Sequence, residues 1–229
     1  MIRLLTEEKL NEFSAFCRNK ITGAVILTRF YTYGLSGDTA LFWYGEDENG
    51  SVTGVFSLLD GIFLACCEDE DKEEAELFAK TVGAVEISYG TARFTLKFTE
   101  NQKKYTAEDI SGENIKNVFD VVFEDDEKRH RYFSGWYTDA SHKIRHGLIH
   151  GKCIEEDGKI VSVALTSGET DKIAVISSVA TLKNHRKKGY GEKVVLALAQ
   201  SLKKEIYLLT ANETTARWYE KMGFTQINS

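Results

Sequence analysis

Proline is absent from this chain, where average usage of about 5% would place roughly eleven in a protein of this size. That absence excludes polyproline II linkers, proline-rich recognition segments and cis-proline switches. Cysteine is scarce: Cys17, Cys66, Cys67 and Cys153 never stand at C-x-x-C spacing. The adjacent pair closes an apolar run, Phe63-Leu64-Ala65-Cys66-Cys67, and reads as small buried hydrophobes of a reducing compartment, not as a disulfide framework. No apolar stretch approaches the roughly 20 residues needed to cross a bilayer. At the N-terminus Glu7 and Glu8 arrive before a signal-type apolar region can form. A soluble, cytoplasmic protein is expected.

What is present is an ordinary globular balance, 42% hydrophobic, 11% aromatic and 28% charged over 229 residues. At roughly 150 residues per domain this is about 1.5 domains, with ample apolar material for a core. The net charge of −6 disfavours nonspecific binding of nucleic acid or of an anionic membrane surface, while leaving room for a local basic site.

Along the first half, Leu10, Phe13 and Cys17 recur at helical spacing between Thr6 and Asn19. The apolar stretch Ala24–Tyr33 mixes β-branched and aromatic residues, so its type stays open. Leu41–Tyr44 and Val52–Leu59 flank an Asn49-Gly50 turn, and Asp60-Gly61 leads into Ile62–Cys67, which makes a three-strand meander. The acids Glu68-Asp69-Glu70-Asp71 precede a helix at Lys72–Thr81, whose N-terminus they suit. Strands are expected at Val85–Tyr89 and Ala92–Phe98. The polar stretch Thr99–Lys104 marks the joint, tight because it lacks proline, and divides the chain into residues 1–103 and 104–229.

The second half repeats this order. Helices are expected at Glu113–Phe123 and from Lys128 to about Arg145, where Gly147 ends the second. Strands follow at Leu148–Ile154, Ile160–Thr166 and Ile173–Ala180, separated by Asp157-Gly158 and Ser167-Gly168 turns. A helix comes next with Val194, Val195, Leu198, Ala199 and Leu202 on one face. The strand Ile206–Leu209, the helix Thr214–Met222 and a strand from Phe224 complete it.

Between the meander and its helix lies Arg186-Lys187-Lys188-Gly189-Tyr190-Gly191. Glycine lets a backbone approach a ligand closely, and the N–H groups of the helix's first turn favour an anion. Lys183, Arg186, Lys187, Lys188 and Lys193 gather cations there. The segment reads either as a diphosphate cradle or as a glycine-rich turn with solvated lysines. It lacks the spacing of a P-loop and the third glycine of a Rossmann fingerprint.

Downstream stands Asn212-Glu213-Thr214-Thr215-Ala216-Arg217-Trp218-Tyr219-Glu220-Lys221-Met222-Gly223-Phe224. The R-x-x-G-x-G turn and this second pattern, in this order and strand–helix context, resemble the GCN5-related N-acetyltransferase (GNAT) superfamily over roughly residues 104–229. The resemblance implies an α/β fold with a mixed sheet in the C-terminal half and a degenerate copy packed against it in the N-terminal half. It implies acetyl-CoA as acyl donor and transfer to a primary amine of a small molecule or peptide. Val179, Ala180 and Thr181 would bind the pantetheine arm through their backbone, Arg186 through Gly191 the pyrophosphate, and Asn212 the cofactor beside the gap between the central strands. Tyr219 would be the general acid for the departing thiolate, and a backbone N–H at a strand bulge would stabilise the oxyanion. Glu169, Asp171 and Asp139 are candidate bases, alongside a water chain.

The pattern also has departures. Lys183 stands where relatives often carry proline, and Lys187 where they often carry glycine. The stretch after Phe224 has room for one strand of the usual C-terminal hairpin, so the other is expected from the N-terminal half or from a second subunit in a homodimer. Glu68–Asp71, where that half would need glycines and cations, should repel a diphosphate. The main alternative to catalysis is an acyl-CoA-binding or regulatory module without transfer activity. His142, His146 and His150 fall at helical spacing, but Gly147 should separate the last and no carboxylate or cysteine completes a metal set. Trp136, Tyr137 and Asp139 lie where the superfamily builds its acceptor pocket. Gly34-Leu35-Ser36-Gly37 is not a G-x-S-x-G nucleophile motif.

Overall fold

Two Asp-Gly pairs set the hairpins of the molecule. Asp60 and Gly61 have φ of 51° and 78°, and Asp157 and Gly158 have 52° and 74°. Two successive left-handed residues make the tight turn whose twist matches paired strands, and Asp followed by Gly tolerates it best. A computed structural model describes residues 1–227 except 36, 91, 100, 102 and 132. Ser36 of the Gly34–Gly37 motif, Glu100 and Gln102 of the expected joint, and the terminal Ser229 therefore lie outside the described residues.

The chain divides into two compact units, residues 1–92 with 168–173 and residues 93–167 with 174–229. The first contains β1 (Ile2–Leu4), α1 (Leu10–Cys17), α2 (Ile21–Tyr33), β2 (Ala40–Glu46), β3 (Val52–Leu59), β4 (Ile62–Cys67), α3 (Lys72–Thr81) and β5 (Glu86–Ser88). Its sheet runs β1-β2-β3-β4-β5, antiparallel until the parallel β4–β5 pair. The ambiguous apolar stretch is helix α2. Gly23 explains its seat: a Cβ there would lie 2.6 Å from the Cys17 carbonyl oxygen, so α2 crosses α1 at backbone contact. Ile26 and Leu27 are buried against Phe13, Phe42 and Val55. On the other face, Trp43, Phe56, Phe63 and Phe78 form a ring cluster with Ala75 and Ala79 of α3.

The second unit contains β6 (Phe94–Phe98), β7 (Glu108–Asp109), α4 (Ile115–Val122), α5 (Phe133–Arg145), β8 (Gly151–Glu156), β9 (Lys159–Glu169), β10 (Ile173–Thr181), α6 (Tyr190–Ser201), β11 (Glu205–Thr210), α7 (Glu213–Glu220) and β12 (Phe224–Ile227); residues 168–173, at the β9–β10 reversal, count with the first unit. The sheet order is β12-β6-β11-β10-β9-β8-β7. Both units thus follow strand, two helices, three-strand meander, helix, strand.

Two expectations are corrected. The reversal assigned to Ser167-Gly168 lies further on: β9 runs to Glu169, and the Thr170 hydroxyl accepts the Lys172 and Ile173 N–H groups at 3.1 Å each. Gly168 serves close approach instead, since a Cβ there would fall 2.6 Å from the Val25 backbone. The strand at 94–98, expected to close the N-terminal half, belongs to the second sheet. It stands between β11 and β12, antiparallel to both, and so supplies the strand that the C-terminal hairpin lacked. Accordingly the units part between residues 92 and 93 and not at 103/104. The reason is register: Leu96 faces Leu208 and Gln226 and is fully buried, a partner set that pattern reading cannot see.

Candidate functional site

The site is built where β10 gives way to α6. A 3₁₀ turn at Lys183–His185 leads to Arg186 in extended conformation. Lys187 then adopts φ 63° and Gly189 φ 83°. Gly189 is the residue before the helix, and α6 begins without any side-chain cap. An uncapped helix start leaves its first N–H groups directed into the turn, with the positive end of the dipole behind them. The helix is anchored by Val194, Val195, Leu196 and Leu198, all fully buried, so the turn sits on a rigid support.

Gly191 is closely packed. A Cβ there would lie 3.3 Å from the Trp218 ring and 3.4 Å from the Thr181 hydroxyl, and that hydroxyl is held at 2.8 Å by Ser162. Trp218 is therefore laid against the helix start by α7, a neighbour to which the sequence pattern assigns no role. Its aromatic character and its place before Tyr219 are legible in the sequence; its position over Gly191 is not.

The cations are organised by carboxylates. Arg186 donates from Nε to the Thr181 carbonyl at 2.9 Å and from its terminal nitrogen to Asp125 at 2.7 Å. Lys183 Nζ reaches the other Asp125 oxygen at 2.7 Å, and the Lys183 N–H donates to Glu124 at 2.7 Å. Glu156 accepts from the Tyr190 hydroxyl at 2.7 Å and from Lys188 at 3.2 Å, with His185 Nε2 at 3.0 Å. The Arg186 and Lys183 contacts hold the Asp125 carboxyl below its ordinary pKa, and the Tyr190 and Lys188 contacts do the same for Glu156. Glu124, Asp125 and Glu156 were not singled out from sequence, because their partners lie far along the chain.

Beside the turn, β10 is bent. Ser178 has φ 45°, a left-handed residue inside a strand, which is the local signature of a bulge. Next to it opens a cavity of about 330 Å³ lined by residues of β10 (Val175 through Val179), Leu208 and Leu209 of β11, Ser167 and Tyr219. Val179 and Tyr219, assigned from sequence, thus meet at one cavity. Tyr219 is buried, its ring set between Trp218 and Phe224, and burial alone pushes its hydroxyl pKa up to about 12. Ala180 and Thr181 continue β10 toward the basic turn.

Other assigned residues do not line this cavity. Asn212 is the N-cap of α7: its side-chain oxygen accepts the Thr215 N–H at 3.1 Å. Asp171 pairs with Arg18 at 3.0 Å, Asp139 with Lys143 at 2.7 Å, and the Glu169 N–H donates to Thr28 at 2.9 Å. Among the described residues the cavity lining carries no carboxylate. His142 and His146, on and just beyond α5, have tilted rings with centroids 4.3 Å apart, while the His150 N–H bonds Thr166 on the sheet. Trp136 packs with Phe119 and Phe123. No group of three or more His, Cys, Asp or Glu that could hold a metal occurs among the described residues. Among the same residues no helix is long and apolar enough to cross a membrane.

The model of the acetyltransferase (GNAT) family matches residues 113–224. No curated protein matches the chain. Among solved structures, a tandem GNAT protein from the clavulanic acid biosynthesis pathway is similar over 99% of this chain and 95% of its own, at 12% identity and a TM-score of 0.61. A GCN5-related N-acetyltransferase from Kribbella flavida is similar over 89% and 91%, at 17% identity and a TM-score of 0.53. A GNAT-family structure from Novosphingobium aromaticivorans matches over 59% of each chain, at 14% identity and a TM-score of 0.45. Identity at this level carries the fold alone, and the first two likenesses span both units. Residues 113–224 thus match the acetyltransferase (GNAT) family, and the two-unit fold is similar to that of a tandem GNAT protein.

Proposed function

We propose that the chain transfers an acetyl group from acetyl-CoA to a primary amine, with the second unit as the catalytic one. The observation that carries this reading is the convergence of a left-handed, uncapped helix start with a strand kinked by the left-handed Ser178 and a cavity lined by Tyr219. Such a turn presents N–H donors and cations to a diphosphate, and the residues from Arg186 to Gly191 would hold it. Val179, Ala180 and Thr181 would pair with the amides of the pantetheine arm. Bound there, acetyl-CoA supplies an activated acyl carbonyl on a good leaving group.

The chain's own residues then do three things. The Ser178 bulge interrupts the strand beside the cavity, and a backbone N–H of that bulge serves as donor to the acyl oxygen as it gains charge. Tyr219 keeps its proton at neutral pH, because its pKa lies near 12, and gives it to the sulfur as the thiolate departs. The apolar lining of Val175, Ile176, Leu208 and Leu209 limits the access of water to the thioester, which favours transfer over hydrolysis. No carboxylate base stands at the cavity among the described residues, so the amine loses its proton to solvent through ordered water. Asn212, as a helix cap, positions α7 and thereby Tyr219.

The test is calorimetric titration of the full chain with CoA and with acetyl-CoA, followed by a screen of small amines and peptide N-termini. Micromolar binding and acetyl transfer are expected. No binding at millimolar cofactor would defeat the reading.

A further inference from the structure

The connection after α4 carries four consecutive acids, Glu124-Asp125-Asp126-Glu127. Two of them are placed on the donors of the basic turn. Asp125 spans two cations, one oxygen on Lys183 and the other on Arg186. Glu124 takes a backbone N–H of the same turn, that of Lys183, and stands 3.9 Å from Arg186. Two cations and a backbone N–H converging on carboxylate oxygens are the donor types that a phosphate group uses.

We propose that Glu124 and Asp125 are internal anions that set the affinity of the turn for its ligand, competing with a diphosphate for Lys183 and Arg186. The inference rests on the reading of the turn as a diphosphate site. The geometry permits exchange. The pairs are at the surface, with side chains 28% exposed at Glu124 and 49% at Asp125, and such pairs are individually weak. Both acids follow the last helical residue of α4, so they can leave the cations without unpacking the buried Val118, Phe119 and Val121. A ligand carrying several negative charges displaces them, whereas a thioester lacking a diphosphate leaves them in place.

Exchange has a second consequence. Ion pairs with the ligand form as internal pairs break, so the number of screened pairs changes little on binding. Added salt should therefore weaken CoA binding only mildly in the native chain. Once the internal anions are neutral, binding adds ion pairs outright and its salt dependence steepens.

The experiment is titration of the full chain with CoA at low and at physiological salt. It compares the native protein with Asp125→Asn, Glu124→Gln/Asp125→Asn and, as a control for net charge, Glu113→Gln, an acid elsewhere on the surface. The double variant should bind CoA roughly tenfold tighter and Asp125→Asn about threefold tighter. Both should show a steeper loss of affinity with salt, while Glu113→Gln follows the native protein. Thermal unfolding verifies that each variant is folded, and the single variant carries the test if the double one is not. Unchanged or weaker CoA binding by folded variants, or an equal gain from Glu113→Gln, overturns the competition. Absence of CoA binding from native and variant proteins alike overturns the diphosphate reading itself, which the first pattern of failure does not.

Discussion

The two units build the same strand-to-helix junction and give it opposite chemistry. In the first, β4 pairs with β3 in unbroken register from Ile62 to Cys67 and with β5 through Ile62, Phe63 and Leu64. It then passes through Asp69–Asp71 into α3. Among the described residues from 62 to 81 no backbone position is left-handed. In the second, β10 is bulged at Ser178, the turn is left-handed at Lys187 and Gly189, and a cavity opens beside β11. Tyr219 lines that cavity, whereas the aromatic rings of the first unit pack on one another, Phe56 stacked on Phe63. The comparison separates the fold, which needs only strand, turn and helix, from the site, which needs strain, glycine and positive charge added to them. Left-handed non-glycine residues each cost about 1–2 kcal/mol; Asp60 and Asp157 spend this on hairpin turns, whereas Ser178 and Lys187 sit at the proposed ligand contacts.

The largest effect should come from giving the second junction the charge of the first. Arg186→Glu/Lys188→Glu replaces two attractions to a diphosphate by two repulsions. Even at water-like screening each full reversal is worth about 2 kcal/mol at 4 Å, so CoA affinity should fall by about a thousandfold. Calorimetry on folded protein measures it. A loss below tenfold would show that helix N–H groups alone hold the diphosphate, and the charge difference between the units would then carry no functional weight.

Next comes Tyr219→Phe, which removes the hydroxyl of the tyrosine that lines the cavity. Turnover should drop about a hundredfold, the scale of lost proton transfer, with CoA affinity changed less than twofold. The hydroxyl's pKa is raised to about 12, so its protonated form is present below that value and lost only as pH rises through it. Turnover of the native enzyme should therefore show no falling limb up to about pH 10, within which an ordinary tyrosine near 10 would already begin to deprotonate. A fall centred near pH 9 would assign the acid to another group.

How much of this was legible in the sequence follows from what each feature depends on. The helices, both meanders and the Asp-Gly turns depend on local pattern and were visible in it, as were the basic turn and Tyr219 in the family's motifs. What depends on long-range placement was not. Thr99–Lys104 looked like a joint, yet Phe94–Phe98 already belongs to the second sheet, because antiparallel pairing to β11 and β12 leaves no mark within five residues. Asn212 had a motif role and is found capping α7, as an Asn before Glu-Thr-Thr in sequence equally allows. The pairing of Glu124 and Asp125 with Lys183 and Arg186 joins residues 59 and 61 positions apart and has no periodic signal. Lys187 was legible as a departure from glycine, though only the structure shows that its φ is positive.

That last residue gives the finest comparison, because the same substitution should act with opposite sign in the two junctions. Lys187 occupies φ 63°, where glycine is free of the left-handed penalty that a side chain suffers. Against this, glycine loses more conformational entropy on folding, by about 0.5–1 kcal/mol. Lys187→Gly should therefore stabilise the protein slightly, by up to about 1 kcal/mol, while lowering CoA affinity only through the lost cation. Glu70→Gly sits at the equivalent turn of the first unit, inside the right-handed 3₁₀ segment Asp69–Asp71. There no strain is relieved, and only the entropy term remains, so a loss of about 0.5–1 kcal/mol is expected. Denaturant unfolding of the two variants side by side reads the difference in sign. If both destabilise equally, the left-handed conformation at Lys187 stores no strain, and the two junctions differ in charge and shape but not in backbone energy.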